Sequence, residues 1–427
     1  MQYVFVPRHV VLRAEWGYSD QWIAFNSKTF LTLALSLEEL LFLEELKCQA
    51  LPDGEFEVIW DQVSPENSRE RKRALIESGV IAQGDVPPPR ELVRSELRIL
   101  KPLLSSYLSS PTELELCLTR RCNQRCVHCN VSAVSERKAE KLPTDFWLNV
   151  LDQAEELRVL RVTLTGGEPF VRDGINDILR HLVAKPMGCI ILTNATMITP
   201  EQMAIMKEGP VTLSVSIDGL NEEQHDGFRR SRGAFRTTIE TLRLLRQSGI
   251  PFVVSAVLHQ GNVQQAPAFL RLAEDVGANR LVVVPIAAVG RARSKHTERY
   301  FPSQVHMSEA IMELKRLAMR TEGLDVVIGN AEPSFKELTS IEKRYGGATA
   351  MSRRNPGLCK AGVYSMAIDE DGMAYSCLRG LQEQIHPIGS LSEQSLAQVW
   401  EAATWADFRS TSLPPVPCRV EELGRRV

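Results

Sequence analysis

Between residues 111 and 290, short apolar runs alternate with longer amphipathic stretches. Glu113 to Leu118, Arg161 to Thr165, Gly188 to Thr193, Val211 to Ile217, Phe252 to Leu258 and Arg280 to Ile286 read as strands. They are short, rich in β-branched residues and bounded by turn signals. The stretches between them place apolar residues at helical spacing. The first is opened by Thr144 and carries Trp147, Val150, Leu151, Ala154 and Leu157. Thr199-Pro200-Glu201-Gln202 is a capping box, and Gly277 supplies a helix stop. Six strands separated by helices predict a parallel sheet with helices outside it. Right-handed crossovers then bring all the strands' C-terminal ends to one rim, where such folds bind ligands.

The flanks follow other rhythms. Val4 to Leu12 and Gln21 to Phe25 read as short strands. Ser36-Leu37-Glu38-Glu39 is a capping box opening a helix whose apolar face is Leu37, Leu40, Leu41 and Leu46. Ser64-Pro65 predicts a second helix running through Ala74, Leu75 and Ile76 to Gly79. Val80-Ile81-Ala82 resumes extended chain, and Val86-Pro87-Pro88-Pro89 is a stiff linker. Strands, helices and a last short strand suggest a winged-helix-like α+β unit. Beyond the central region, Val305 to Arg320 reads as a helix. Val363 to Ile368, the turn Asp369-Glu370-Asp371-Gly372 and Met373 to Cys377 read as a hairpin. Ile388 to Leu391 then precedes a helix with Leu396, Val399 and Trp400. The expected division is 1–86 for the N-terminal unit, 87–110 for linker and lead-in helix, 111–300 for the repeating α/β region and 301–427 for the extension.

Composition narrows the function classes. The 427 residues suffice for two or three domains, and 44% hydrophobic with 24% charged residues is ordinary for a globular protein. A net charge of −3 offers no basic field for nucleic acid. The pairs Arg229-Arg230 and Arg353-Arg354 are too short to change that. Met1 to Asp20 has no continuous apolar core of a signal peptide. No stretch approaches the ~20 apolar residues of a membrane span. The expected compartment is the cytoplasm. There the nine cysteines are thiolate ligands or core residues, not disulfides. Cys48, Cys117 and Cys189 sit in apolar runs and read as core.

Three other cysteines carry the chemistry. Cys122-Asn123-Gln124-Arg125-Cys126-Val127-His128-Cys129 has the spacing C-x3-C-x2-C. Three thiolates on one loop can hold three irons of a [4Fe–4S] cube and leave the fourth iron open. Cys126 and Cys129 alone also have the spacing of a zinc or redox pair. A zinc ion needs a fourth ligand, and His128 lies too close to serve easily beside both cysteines. On local spacing the two readings stay open. Downstream, further motifs fall at strand ends. Thr165-Gly166-Gly167-Glu168-Pro169 follows the second strand. Its glycines permit close backbone approach, and Glu168 offers an anionic acceptor for an ammonium group. Alone it is equally a surface turn. Thr193-Asn194 ends the third strand, and Ser214 to Gly219, with Ser216 and Asp218, ends the fourth. His225-Asp226 with Arg229, Gly233 and Phe235 follows. Asn262 and Gly290-Arg291-Ala292 lie past the fifth and sixth, and singly read as turn or surface residues.

This ordered set resembles the radical S-adenosylmethionine (SAM) superfamily. The resemblance implies a partial (β/α)6 barrel and a [4Fe–4S] cluster on Cys122, Cys126 and Cys129. In that family the open iron chelates SAM, and an electron cleaves it into methionine and a 5′-deoxyadenosyl radical. His128, Gly166, Gly167, Glu168, Pro169, Asn194, Ser216, Asp218 and Arg229 would then bind SAM. The Gly-Gly-Glu-Pro turn would hold its amino group. Ser216 and Asp218 would lie near the ribose and methionine carboxylate, with Arg229 pairing that carboxylate. The C-terminal block resembles the auxiliary-cluster extension called SPASM or, shortened, Twitch. The full pattern has about seven cysteines and cubes usually take four each. Only Cys359, Cys377 and Cys418 stand here, and Glu421 occupies the place of a C-x2-C partner. One auxiliary cluster with an open or non-cysteine fourth ligand is expected; the other reading is a degenerate extension without one.

The N-terminal pattern resembles, in its "FN…L…ALIESGVI" positions, the recognition domain of enzymes that modify ribosomally made peptides. In that family the leader adds a strand to the domain's sheet edge. The other reading is a structural cap. The expected function is that of a maturase of a ribosomally synthesised peptide, removing hydrogen from a peptide carbon to form a thioether or other crosslink. The expected partners are a precursor peptide with its leader and an electron donor such as flavodoxin or ferredoxin, with neither nucleic acid nor membrane. The rivals are a radical SAM epimerase or dehydrogenase on a peptide, protein or small molecule, and a non-catalytic iron–sulfur sensor binding DNA.

Overall fold

A computed structural model describes residues 2–14, 22–29, 31–85, 108, 110–135, 140–321, 323–328, 362, 365–384 and 386–405. The N-terminal unit runs β1 (Tyr3–Phe5), β2 (Val10–Ala14), β3 (Trp22–Asn26), β4 (Leu31–Leu35), α1 (Leu37–Cys48), β5 (Leu51–Pro52), α2 (Asp53–Val63), α3 (Ser68–Glu77) and β6 (Ala82–Gly84). β2, β3 and β4 form an antiparallel meander, and β1 lies between β5 and β6 in a second sheet. Leu40, Leu43, Phe56, Trp60 and Leu75 fill the core between them.

Three local expectations need correction. Leu41 points to solvent at 45% exposure; Phe42 and Leu43 bury instead beside Leu40 and Leu46. Ser64 does not open a helix. It ends α2, an element hidden behind Pro52 and Gly54, which Phe56 and Trp60 anchor one turn apart. The helix that follows begins at Ser68. Thr144 is the first residue of its helix rather than the cap, a place taken by Pro143. The Ser36 box forms as expected. Ser36 Oγ accepts from the Glu39 N–H at 3.1 Å, and the Glu39 carboxylate accepts from the Ser36 N–H at 2.9 Å. That carboxylate also accepts from Ser64 Oγ and Arg71 Nε, each at 2.9 Å.

The central region follows the predicted alternation: β7 (Glu113–Cys117), α4 (Thr144–Glu156), β8 (Arg161–Thr165), α5 (Ile175–Val183), β9 (Gly188–Thr193), α6 (Pro200–Met206), β10 (Val211–Ser216), α7 (Glu222–Arg229), α8 (Ala234–Ser248), β11 (Phe252–Leu258), α9 (Ala268–Val276) and β12 (Arg280–Pro285). β7 to β12 pair in parallel, each with its sequence neighbour. One face of each strand is fully buried against the helices, as with Val162, Ile191, Leu213, Val254 and Leu281. The other face carries half-buried Thr163, Ser214, Ser216 and Ser255, which line the inside of the partial barrel.

The sheet does not stop at six strands. After α10 (Gln304–Ala318), β13 (Asp325–Ile328) adds in parallel to β12. At the opposite edge β14 (Ser365–Ile368) adds in parallel to β7. It continues through β15 (Met373–Tyr375) and β16 (Gly389–Ser390), with α11 (Leu378–Glu383) and α12 (Leu396–Glu401) beside them. The C-terminal hairpin thus shares a sheet with the strand that delivers the cysteine loop. The linker at 86–89 lies outside the described residues. Among the described residues, no helix is long and apolar enough to cross a membrane.

The N-terminal unit is fastened to the barrel by two crossed arginines. Arg13, 2% exposed, donates to the carbonyls of Ser110 at 2.6 Å and Pro111 at 3.1 Å. Arg158 reaches back to Leu12 O at 2.6 Å and to the Glu44 carboxylate. Val11, Ile23 and Phe25 pack on Leu160 of the barrel.

Glu39 gives a pH test of the N-terminal unit. Burial alone would raise its carboxyl, but the Arg71 bond and charge, with Ser36 and Ser64, hold it below its usual 4.5. Its stabilisation is therefore complete above that value and is lost as pH falls through the acidic range. Glu39→Gln should lower stability by about 2 kcal/mol at neutral pH. Thermal unfolding from pH 7 to pH 3 should show the gap to wild type closing at the acid end.

Candidate functional site

β7 hands the chain to residues 118–135 at the C-terminal rim, and this loop carries Cys122, Cys126 and Cys129. It is held from several directions. Within the loop, the Cys122 N–H donates to Val134 O at 2.9 Å and the Val134 N–H to Arg120 O at 2.8 Å. From the turn after β8, the Gly167 N–H donates to Thr119 O at 2.7 Å and the Glu168 N–H to Arg121 O at 2.8 Å. A Cβ on Gly167 would stand 2.0 Å from Arg121 O, so only glycine allows that approach. From the end of α7, Phe228 O accepts from the Val127 N–H at 2.9 Å and Arg229 O from the Arg125 N–H at 3.3 Å. From the turn after β12, Arg291 donates through its backbone to Cys129 O at 3.0 Å, through Nη1 to Cys126 O at 2.9 Å and through Nη2 to Ala133 O.

The sulfurs receive backbone donors: Gln124 N–H to Cys122 Sγ at 3.4 Å and Ala133 N–H to Cys129 Sγ at 3.3 Å. Burial pushes the Cys122 thiol up to about 12 and raises Cys126 too, against the pull of Arg229. These sulfurs therefore keep their protons until a metal displaces them. Among the described residues, no three His, Cys, Asp or Glu side chains gather about one point as a single ion requires. A cube asks otherwise, since each sulfur takes a different iron.

Around the loop stand the predicted polar residues. Glu168 is 1% exposed. Its Oε1 accepts from Thr193 Oγ1 at 2.7 Å and the Phe170 N–H at 3.2 Å, and its Oε2 from the Asn194 N–H at 2.7 Å. Burial raises its carboxyl to about 6 against those donors. Asn194 Nδ2 donates to Asn123 Oδ1 at 2.9 Å, tying the third strand's end to the cysteine loop. Asp218 is fully buried. Its Oδ2 accepts from Arg229 Nε at 2.8 Å and Nη2 at 2.7 Å, and its Oδ1 from the Val257 N–H at 2.9 Å. Burial alone would raise the Asp218 carboxyl; the Arg229 guanidinium drives it well below the carboxylate range. Asp218 thus faces Arg229, not open space. Ser216 ends β10 half-buried, in parallel register with Ser255. Pro169 opens a 3₁₀ turn.

His128 stacks on Phe228 with centroids 4.5 Å apart, and Phe228 stacks on His259 at 3.8 Å. The His128 Nε2 lies 3.5 Å from Asp218 Oδ2, yet burial lowers the ring to about 4, so the contact is that of a neutral imidazole. His225 Nδ1 accepts from the Asp218 N–H at 3.2 Å, which leaves the proton on Nε2. That Nε2, His128 Nδ1 and Gln124 Nε2 are buried without a partner among the described residues. Orphaned polar atoms are costly and point to a missing partner. Two sulfurs with backbone donors and a third beside the Gln124 amide, with unpaired nitrogens on Gln124 and His128 in the same loop, fit a [4Fe–4S] cluster with a polar ligand on it.

Gln124, Phe228 and His259 have no role in the sequence reading; Asn262 and Arg291 stand in its ordered set but singly read as turn or surface residues. Asn262 does lie in a turn but not at the surface: it is 1% exposed and braces Asp218 O at 3.0 Å and Val257 O at 2.9 Å. Arg291, likewise expected at the surface, clamps the cysteine loop. Gly290 was the available signal. Its φ is +53°, and a Cβ there would meet Cys129 O at 2.4 Å. Cys117 and Cys189 are core residues, as expected. Of the auxiliary set, Cys377 follows β15, next to Leu378, whose N–H donates to Glu115 at 2.7 Å. Cys359, Cys418 and Glu421 lie outside the described residues, as does the side chain of Cys48.

Comparison with known proteins agrees with this geometry. Residues 116–273 match the Radical SAM superfamily, and residues 359–420 match SPASM, an iron-sulfur cluster-binding domain. The PqqA peptide cyclase of Granulibacter bethesdensis is 26% identical over 323 residues, 74% of this chain and 80% of the cyclase. The AdoMet-dependent heme synthase of Methanosarcina barkeri is 33% identical over 175 residues, 41% of this chain and 50% of the synthase. Among solved structures, Streptococcus suis SuiB bound to precursor peptide SuiA superposes with a TM-score of 0.70 at 16% identity, covering 98% of this chain and 94% of SuiB.

Gly167→Ala should lower iron bound per chain after anaerobic reconstitution by about tenfold, because the added Cβ displaces the turn from Arg121 O. Iron loading equal to wild type would show that the contact between turn and loop is dispensable.

Proposed function

We propose, for a chain that belongs to the radical SAM superfamily and carries a SPASM domain, the role of a maturase of a ribosomally synthesised peptide. The single observation that carries the peptide reading is coverage. The likeness to SuiB, described as bound to its precursor peptide, spans 98% of this chain and so includes the N-terminal unit. The likeness to the heme synthase spans only 41%. A separate module beside the barrel suits a substrate with a leader segment, which a small molecule lacks.

Cys122, Cys126 and Cys129 would hold the [4Fe–4S] cluster. Bound there, cluster and SAM supply a 5′-deoxyadenosyl radical that removes hydrogen from a peptide carbon. Glu168 Oε2 accepts one protein hydrogen bond and Oε1 two, which leaves Oε2 an acceptor direction for SAM's ammonium. Gly166, Gly167 and Pro169 set that turn, and Asn194 ties it to the loop. Arg229 would meet SAM's carboxylate while Asp218, buried behind it, fixes its orientation. His128 and Ser216 would complete the pocket. The small residues Thr163, Ser214 and Ser255 leave room inside the barrel for a peptide segment. Holding its C–H bond in place and excluding water is the protein's main contribution.

Cys359, Cys377 and Cys418 would hold one auxiliary cluster, with a non-cysteine fourth ligand such as Glu421. It would bind a substrate thiolate or take up the electron released as a thioether or other crosslink forms. The N-terminal unit would bind the leader by strand addition. A flavodoxin or ferredoxin would deliver the electron, and the reducing cytoplasm suits both clusters. The families matched are enzymes, so a DNA-binding sensor is set aside. An epimerase or dehydrogenase acting on a peptide, protein or small molecule remains the second reading.

Cys126→Ala should abolish 5′-deoxyadenosine formation with SAM and a reductant. Cys377→Ala should retain that cleavage and lose modified peptide. Equal loss in both would reduce the extension to a folding role. Intact mass of the product tests the reaction: a crosslink or dehydrogenation removes two hydrogens, whereas epimerisation leaves the mass unchanged.

A further inference from the structure

Gln124 sits inside the cysteine loop and is 2% exposed. It touches two of the three sulfurs. Its backbone N–H donates to Cys122 Sγ at 3.4 Å, and its Oε1 lies 3.7 Å from Cys126 Sγ. The same Oε1 accepts from Arg229 Nη1 at 3.1 Å. That contact settles the orientation of the amide. A guanidinium only donates, so the amide must turn its oxygen toward Arg229 and its NH2 group away. The Nε2 is then a buried donor with no partner among the described residues. A leucine or methionine would fill the same space without leaving an amide unsatisfied.

We propose that Gln124 belongs to the cofactor site, its Nε2–H donating to an anionic acceptor of the bound cofactor: a sulfur of the cluster or the carboxylate of SAM. Such a donor stabilises negative charge on whichever group accepts it. On a cluster sulfur, it raises the reduction potential, because the reduced cube carries the extra electron. On the SAM carboxylate, it acts with Arg229, to which the amide is already anchored. Gln124 then couples the residue that binds SAM to the loop that binds iron. This assignment rests on the cluster reading given above.

The test uses the full chain, reconstituted anaerobically, with Gln124→Met and Gln124→Leu. Both remove the donor without adding charge. Leucine, of similar volume and different shape, decides the matter if the methionine variant fails to load iron. The readouts are the cluster's midpoint potential, followed by electron paramagnetic resonance without SAM, and the SAM dissociation constant. A more negative potential in the variants without SAM supports donation to the cluster. An unmoved potential with SAM binding weakened roughly tenfold supports donation to the carboxylate. Iron-loaded variants with wild-type potential and wild-type SAM affinity overturn the proposal and leave Gln124 a brace for Arg229. Wild-type protein that carries zinc in this loop would instead sink the cluster reading itself, so the two failures are distinguishable.

Discussion

Everything at the rim depends on backbone capture of one irregular loop. Residues 118–135 have no helix or strand of their own, so their peptide groups need partners from elsewhere. The turn after β8, the end of α7 and the turn after β12 each supply some. Because those turns follow parallel strands of one sheet and α7 follows β10, the sulfurs' positions are inherited from that sheet. A metal centre built on a loop is only as well placed as the shell behind it.

The charged groups behind the loop obey the same logic. Asp218 and Arg229 are both nearly inaccessible, and burying either alone would be strongly unfavourable. Two guanidinium contacts, the Val257 N–H, and Asn262 and His259 on the Asp218 carbonyl leave this residue few unsatisfied acceptors. The result is a cation with little freedom to turn, next in the chain to Phe228 at the centre of the ring stack with His128 and His259. Arg291 holds the loop by the carbonyls of Cys126 and Ala133, and both guanidiniums bear electrostatically on the Cys126 sulfur.

Continuity of the sheet links the parts that must cooperate. β14 lies directly against β7, and the Glu370 carboxylate in the hairpin turn meets Arg120 Nε of the cysteine loop at 2.6 Å. Arg293, in the turn that clamps the loop, pairs with Glu383 of α11. A displacement of the hairpin is therefore felt at the sulfurs. The N-terminal unit is joined differently, by the crossed Arg13 and Arg158, by Arg8 on Ala184 O, and by the apolar contact of Val11, Ile23 and Phe25 with Leu160.

The repeating α/β pattern was legible from the chain alone because strand and helix periods are local properties, and so were the caps at Ser36 and Thr199. The cysteine spacing and the Gly-Gly-Glu-Pro turn were legible for the same reason: chemistry packed into a few consecutive residues. Helix α2 was not, because its anchoring comes from Phe56 and Trp60 meeting a core that other segments build. β13 and the joining of the hairpin to β7 were equally hidden, since pairing between distant strands leaves little mark on either. Asp218 shows the limit most clearly. Its position after a strand could be read from the sequence, but its partner could not, and that partner makes it the buried support of Arg229. Gln124 and Arg291 share that dependence: a polar side chain acquires its role from whichever donor or acceptor the folded chain sets opposite it.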